Sequence, residues 1–291
     1  MLGSHLSALV RAMRPRHWMK NGFVLAPAVF AGHALDALAM AKAVTVVGAF
    51  CLVSSAGYLV NDVLDREADR NDPVKCRRPV ASGEMSVGVA LAWGAVLYAL
   101  AFAAALRSGR AVLLLLVGYV LLSLLYSAVL KAVAVVDAMA LATLFLVRLV
   151  AGAVAIPVTI SPWLIVCGFL LALLLAFGKR LPESEHPGGR TPLYPQTYLH
   201  EVVTMIAGVT LVSYTLYTVA PDTTRKLGGS NALLLTAPLV LFGIMRYLLL
   251  LHREGAQDPT ATLFRDRALL ATVVLWIVVA GAIVYVAGGA R

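Results

Sequence analysis

Residues 52–79 read L-V-S-S-A-G-Y-L-V-N-D-V-L-D-R-E-A-D-R-N-D-P-V-K-C-R-R-P. An apolar run (Leu52–Val60) gives way without a spacer to four aspartates (Asp62, Asp65, Asp69, Asp72) and five cations (Arg66, Arg70, Lys75, Arg77, Arg78). Elsewhere charge is scarce. Of the 291 residues, 13% are charged and 60% hydrophobic, whereas a soluble domain carries about 25% charged residues. Mean hydropathy is +0.86. Together with repeated apolar runs of about 20 residues, this balance predicts an all-α, polytopic membrane protein. Charge gathered at the end of a span marks chemistry rather than solvation.

Length and helix breakers predict about nine spans, with cores near 17–33, 43–63, 87–106, 111–130, 134–156, 161–178, 198–220, 231–250 and 267–288, in one membrane domain over 1–291. Pro27 interrupts the first of them. The basic N-terminal stretch does not resemble a signal peptide, because no small-residue cleavage site and soluble domain follow it. Placing the N-terminus in the cytoplasm puts the Lys/Arg clusters at 11–20, 66–78, 131, 179–190 and 246–267 on that side. Lys42, Arg107, Arg110, Arg225, Lys226 and Arg291 remain for the other. This bias predicts N-in, C-out topology, which needs an odd number of spans, and a polar site on the cytoplasmic face. The net charge of +9 suits lipid head groups and anionic substrates. It is split among short loops, so nucleic acid is not an expected partner. Cys51, Cys76 and Cys167 are too far apart for a zinc or disulfide framework and read as small apolar residues. The histidines are scattered and suggest no nucleophile–base pair.

Asn61, Asp65 and Asp69 recur at i, i+4 and i+8, along one helical face. Carboxylates so spaced repel unless neutralised, and their oxygens are natural ligands of Mg²⁺. This ion completes its shell with water and substrate phosphates, so a metal at Asn61, Asp65 and Asp69 predicts a di- or polyphosphate ligand. The competing reading is a solvated helix end whose acids pair with Arg66 and Arg70. Asp72-Pro73 stops the helix. Between Pro73 and Pro79, Lys75, Arg77 and Arg78 either meet phosphate oxygens or merely signal topology. Lys179 and Arg180, followed by Glu183 and Glu185, form a second polar cluster or a snorkelling helix end. Arg148 lies within an apolar segment and must face the interior, against substrate or an acid such as Asp137. R-P-R-H-W-M-K-N (Arg14–Asn21) is an interfacial anchor, or also brings Lys20 and Asn21 to the site.

N-D-x-x-D-x-x-x-D-R (Asn61–Arg70), followed by P-x-K-x-x-R-P (Pro73–Pro79), resembles the first aspartate-rich motif of the UbiA superfamily of intramembrane prenyltransferases. R-P-R-H-W-M-K-N, Y-S-A-V-L-K (Tyr126–Lys131), V-R-L-V-A-G (Val147–Gly152) and F-G-K-R-x-x-E (Phe177–Glu183) are most similar to its decaprenyl-phosphate phosphoribosyltransferase branch. The resemblance implies a UbiA-like bundle in the bacterial inner membrane, with a cytoplasm-facing polar cavity. It implies transfer of 5-phosphoribose from phosphoribosyl pyrophosphate to a polyprenyl phosphate, for cell-wall precursor synthesis. In that reading Asn61, Asp65 and Asp69 hold Mg²⁺, supported by Asp62 and Arg70. Lys75 and Arg78 face the leaving pyrophosphate. Lys179 and Arg180 face the ribose 5-phosphate, and Glu183 the ribose hydroxyls. Lys20, Lys131 and Arg148 face the lipid phosphate, and Asn21 and Tyr126 complete the substrate set. Family analogy also allows a homo-oligomer such as a trimer. Aromatic-acceptor prenyltransferases carry a second aspartate-rich motif after the sixth helix, where this chain has Gly178-Lys179-Arg180. An extra phosphate on the donor calls for cations there. Two alternatives stay open: prenyl transfer from an isoprenyl diphosphate, and transport of an anionic solute. The one-sided placement of the polar residues argues against transport.

Overall fold

The computed structural model describes residues 2–156, 158–181, 194–254 and 259–288, and every regular element among them is helical. Leu2–Met13 forms α1. Pro15–Leu25 is a 3-10 stretch that runs into α2 (Ala26–Phe30). The long α3 (Ala37–Leu64) begins at Asp36, whose side chain accepts from the amides of Leu38 (2.9 Å) and Ala39 (3.2 Å), as an N-cap should. One residue, Asp65, separates it from α4 (Arg66–Arg70). α5 (Val87–Ser108) and α6 (Arg110–Ala128) are joined through Gly109, whose φ of 123° is a conformation that L side chains rarely adopt. Then follow α7 (Val136–Ala155), α8 (Pro162–Gly178), α9 (Gln196–Val219), α10 (Pro221–Lys226), α11 (Ala237–Glu254), α12 (Pro259–Arg265) and α13 (Arg267–Gly288).

In lipid, helices gain little by hiding apolar surface from one another, so close packing of small residues drives their association. α7 carries many of these: Ala138, Ala140, Ala142, Ala151, Gly152, Ala153 and Ala155 are all buried. It is the central stave, with 56% of its membrane-length window buried, against 17% for α6 and for α13. On one side it packs with α3, α6 and the 3-10 stretch, around Val24, Phe50, Val53, Leu116 and Leu144. On the other side lies a second core that includes Leu174, Phe177, Leu199, Val203, Tyr247 and Leu251. Leu114, Leu121 and Val278 point outward, as a lipid-facing surface requires.

Among the described residues seven helices are long and apolar enough to cross a membrane, so the chain is an integral membrane protein. The expected count of about nine is not reached by that measure. α8 has 17 residues. The expected first span, 17–33, is not one α-helix: Pro27 lies in the first turn of α2, where its missing N–H ends the preceding ladder. The 3-10 stretch and α2 nevertheless pack along α3 and α7, and α8 packs against α7 and α9. α3 spans about 42 Å, with Asp62 near one end and Ala34 just beyond the other. Arg14 pairs with Asp62, while Phe30 lies among Tyr217 and Trp276 at the opposite end. Arg180, just after α8, pairs with Asp137 at the start of α7. The Ala34 amide donates to the hydroxyl of Tyr285 in α13, so Arg14 and Tyr285 mark opposite faces.

Gly152 is where α7 meets the 3-10 stretch. A Cβ there would sit 1.9 Å from the carbonyl oxygen of Val24, a backbone atom that cannot swing aside. Gly152→Ala is therefore expected to destabilise the protein by about 1–3 kcal/mol. Gly208→Ala, whose Cβ meets nothing within 4 Å, should leave the melting temperature in detergent nearly unchanged.

Candidate active site

The aspartate-rich end of α3 is clamped by cations from three parts of the chain. The Asp62 carboxylate, 1% exposed, accepts from Arg14, and Arg78 Nη1 lies 3.4 Å from the same oxygen. Asp69, 4% exposed, pairs with Arg78 Nη1 at 2.6 Å. Asp65, 35% exposed, meets Lys131 Nζ at 3.3 Å. Arg14 adopts a left-handed backbone (φ 52°, ψ 61°) just before Pro15, a conformation unfavourable for a non-glycine residue. Its guanidinium also lies 4.7 Å over the ring of Tyr58. The ion pair and the ring contact offset the local strain.

The competing solvated-end reading is not the arrangement found. Among the described residues neither Arg66 nor Arg70 pairs with an acid, and Arg70 Nε donates to the carbonyl of Ala81 at 3.1 Å. Lys75 forms an exposed pair with Asp72 at 3.4 Å. The amides of Lys75 and Val74 donate to Asp72 and hold its carboxyl below the usual range. Among the described residues no three His, Cys, Asp or Glu side chains gather closely enough to hold a metal. The oxygens present are still hard donors. Asp62 Oδ2 is buried with no hydrogen-bond partner, and the Asn61 side chain makes no hydrogen bond among the described residues.

A second group adjoins the first. Arg180 Nη2 donates to Tyr126 Oη at 3.1 Å and lies 3.0 Å from Asp137 Oδ2, close enough for an ion pair but outside hydrogen-bond alignment. The Tyr194 hydroxyl donates to Asp137 Oδ1. Lys179 is exposed and Lys20 half-buried. Glu183 lies outside the described residues.

Arg148 faces the interior, as expected, and its partner is not Asp137. Its Nε donates to Asn21 (2.8 Å), Nη1 to the carbonyl of Leu144 (2.7 Å) and Nη2 to Tyr119 (2.7 Å). The rings of Phe50, Tyr119 and Phe145 surround its guanidinium. Asn21, 1% exposed, also donates to Cys51 Sγ. Two groups that hold the site's buried acids escaped sequence reasoning. Arg14 was read only as part of a basic motif, and a buried acid at a span end is the signal that should have sought such a partner. No spacing signal marks Tyr194.

The profile of the UbiA prenyltransferase family matches residues 22–273. The chain belongs to the UbiA prenyltransferase family. Among curated UbiA relatives, the decaprenyl-phosphate phosphoribosyltransferase of Mycobacterium tuberculosis is 33% identical, over 96% of this chain and 95% of its own length. The protein of the same name from Mycolicibacterium smegmatis is 31% identical, over 96% and 93%. Among solved structures, a UbiA homolog from Archaeoglobus fulgidus bound to GPP and Mg²⁺ superposes with a TM-score of 0.71 at 18% identity, covering 95% of this chain and 99% of that one. Family and relatives together make this chain an enzyme, a transferase.

Arg78 is the keystone of the clamp, because Asp69 has no other ion-pair partner among the described residues. Arg78→Ala should cost roughly 3 kcal/mol, since it leaves a buried carboxylate uncompensated. Adding Asp69→Asn should recover much of the loss, as read by thermal unfolding of the single and double variants.

Proposed function

We propose that this UbiA enzyme transfers 5-phosphoribose from phosphoribosyl pyrophosphate to a polyprenyl phosphate, releasing pyrophosphate for a cell-wall precursor pathway. The observation that carries this reading is the likeness, over 96% of the chain, to relatives named for that acceptor and that group. The charge balance supports it. Asp62, Asp65, Asp69 and Asp137 stand against Arg14, Arg78, Lys131 and Arg180. Such a site takes a polyanionic donor most readily together with a divalent cation.

The free oxygens of Asn61 and Asp62, with Asp65 and Asp69 beside them, suit Mg²⁺. When bound, the ion supplies positive charge to a departing pyrophosphate. The chain's own groups do the remaining work. Arg78 and Lys75 neutralise the pyrophosphate, with Arg70 bracing the loop through Ala81. Arg180, Lys179 and Tyr126 hold the ribose 5-phosphate. Glu183 is assigned to the ribose hydroxyls by resemblance alone. Lys131 and Lys20 receive the lipid phosphate. That phosphate is already ionised, so positioning and charge stabilisation replace a general base, and in-line attack inverts the anomeric carbon. Arg148, whose donors are engaged within the protein, holds Asn21 in place.

In the membrane we propose that α8 and residues 15–30 complete nine crossings. A 3-10 rise of about 2.0 Å per residue followed by one α turn carries 15–30 through roughly 30 Å, enough for the hydrocarbon core. The site then faces the cytoplasm, with the N-terminus in and the C-terminus out. A trimer is carried over by family analogy.

Radiolabel from phosphoribosyl pyrophosphate should enter a lipid fraction when purified enzyme is given Mg²⁺ and a polyprenyl phosphate. Asp65→Ala should lower the rate at least about a hundredfold, roughly 3 kcal/mol of transition-state stabilisation. Consumption of a prenyl diphosphate with no lipid label would overturn the reading in favour of prenyl transfer. For sidedness, Cys76 lies on the loop beside the clamp. With Cys51 and Cys167 replaced by alanine, Cys76 should resist a membrane-impermeant maleimide in intact cells and react in inverted vesicles.

A further inference from the structure

We infer that Asp137 and Tyr194 form a positioning hub that aims two substrate-facing cations, Lys131 and Arg180, from neighbouring elements. The inference rests on the proposed function and deepens it.

Asp137, in the first turn of α7, is fully buried. A carboxylate in that position is tolerated only with partners. One oxygen accepts from the Tyr194 hydroxyl, and the other lies 3.0 Å from Arg180 Nη2. Arg180 Nη2 also reaches Tyr126 at the end of α6. Tyr194, two residues ahead of α9, and Arg180, which is held to α6 through Tyr126, therefore converge on this one acid of α7.

Tyr194 has a second bond. Its oxygen accepts from the Val135 amide at 2.6 Å. Val135 has φ 68° and ψ −46°, a conformation a β-branched residue adopts only under constraint. The constraint sits three residues after the 3-10 turn Leu130–Ala132, which carries Lys131 to within 3.3 Å of Asp65. One hydroxyl thus ties the acid that orients Arg180 to the strained residue that links the Lys131 turn to α7. Burial, and the bond to Asp137, push the Tyr194 hydroxyl well above the ordinary tyrosine range, so it keeps the proton it donates. The ring itself is held separately, edge-on to Phe177 and stacked on Tyr198. Tyr194→Phe should therefore remove the two bonds and leave the packing.

The test uses full-length protein in detergent and two probes. Ribose 5-phosphate reports on Arg180, and farnesyl monophosphate reports on Lys131. Isothermal titration should show that Lys131→Ala weakens farnesyl monophosphate alone and Arg180→Ala weakens ribose 5-phosphate alone. Tyr194→Phe should weaken both by about tenfold, the scale of losing a hydrogen bond that supports a charged group. In the double variants, adding Tyr194→Phe to Lys131→Ala, or to Arg180→Ala, should cost almost nothing more for the matching probe. A general loss of structure would instead multiply the effects and lower the melting temperature in proportion. Multiplied losses, unaltered binding in Tyr194→Phe, or a wild type that binds neither probe would each overturn the hub. Wild-type turnover is measured in parallel. Coupled binding without turnover would sink the proposed reaction and leave the hub standing, whereas turnover with multiplied losses would sink the hub alone.

Discussion

A carboxylate buried at the mouth of a membrane helix is the constraint on which this molecule is built. Asp62 is nearly inaccessible, and charge so placed must be matched or the helix end would not stay where it is. Arg14 and Arg78 supply the match from sequence positions on either side. Each is fixed in turn by local structure. Arg14 is bent into a left-handed backbone before Pro15, and Arg78 follows the 3-10 turn Lys75–Arg77. The clamp joins the N-terminal segment, the end of α3 and the connecting loop into one rigid rim.

Behind the rim, close packing takes over from charge. α7 offers a surface of alanine and Gly152, and the 3-10 stretch lies against it near enough that a single methyl group would not fit. Arg148 is the polar counterpart of that contact, since its fork spans Asn21 on the 3-10 stretch and Tyr119 on α6. Inside lipid such a charge would be untenable alone, but with its donors satisfied and aromatic faces around it, it becomes a cross-brace.

Much of this was legible in the sequence because it depends on short-range regularities. Apolar runs located the seven long helices, and the four-residue recurrence from Asn61 to Asp69 pointed to a run of oxygens that the structure divides between the end of α3, the Asp65 junction and α4. Motif resemblance pointed to the same family that the comparisons show. What spacing could not convey was pairing across the chain. Arg14 and Asp62 are 48 residues apart, and Asp137 and Tyr194 are 57 apart. Nothing local in either member names the other. The expected first span is not a single α-helix for a different reason: Pro15, Gly22 and Pro27 signal that an α-helix is interrupted, but not which helix type replaces it.

That replacement changes how the polypeptide is threaded. A 3-10 coil covers about a third more distance per residue than an α-helix. Residues 15–30 therefore travel from the clamp to the far end of the bundle with fewer side chains than a hydropathy window expects. In the proposed nine-crossing topology this passage is one of the crossings, so counting only long apolar helices would skip it and would put the amino terminus and the loop that carries Arg78 in different compartments.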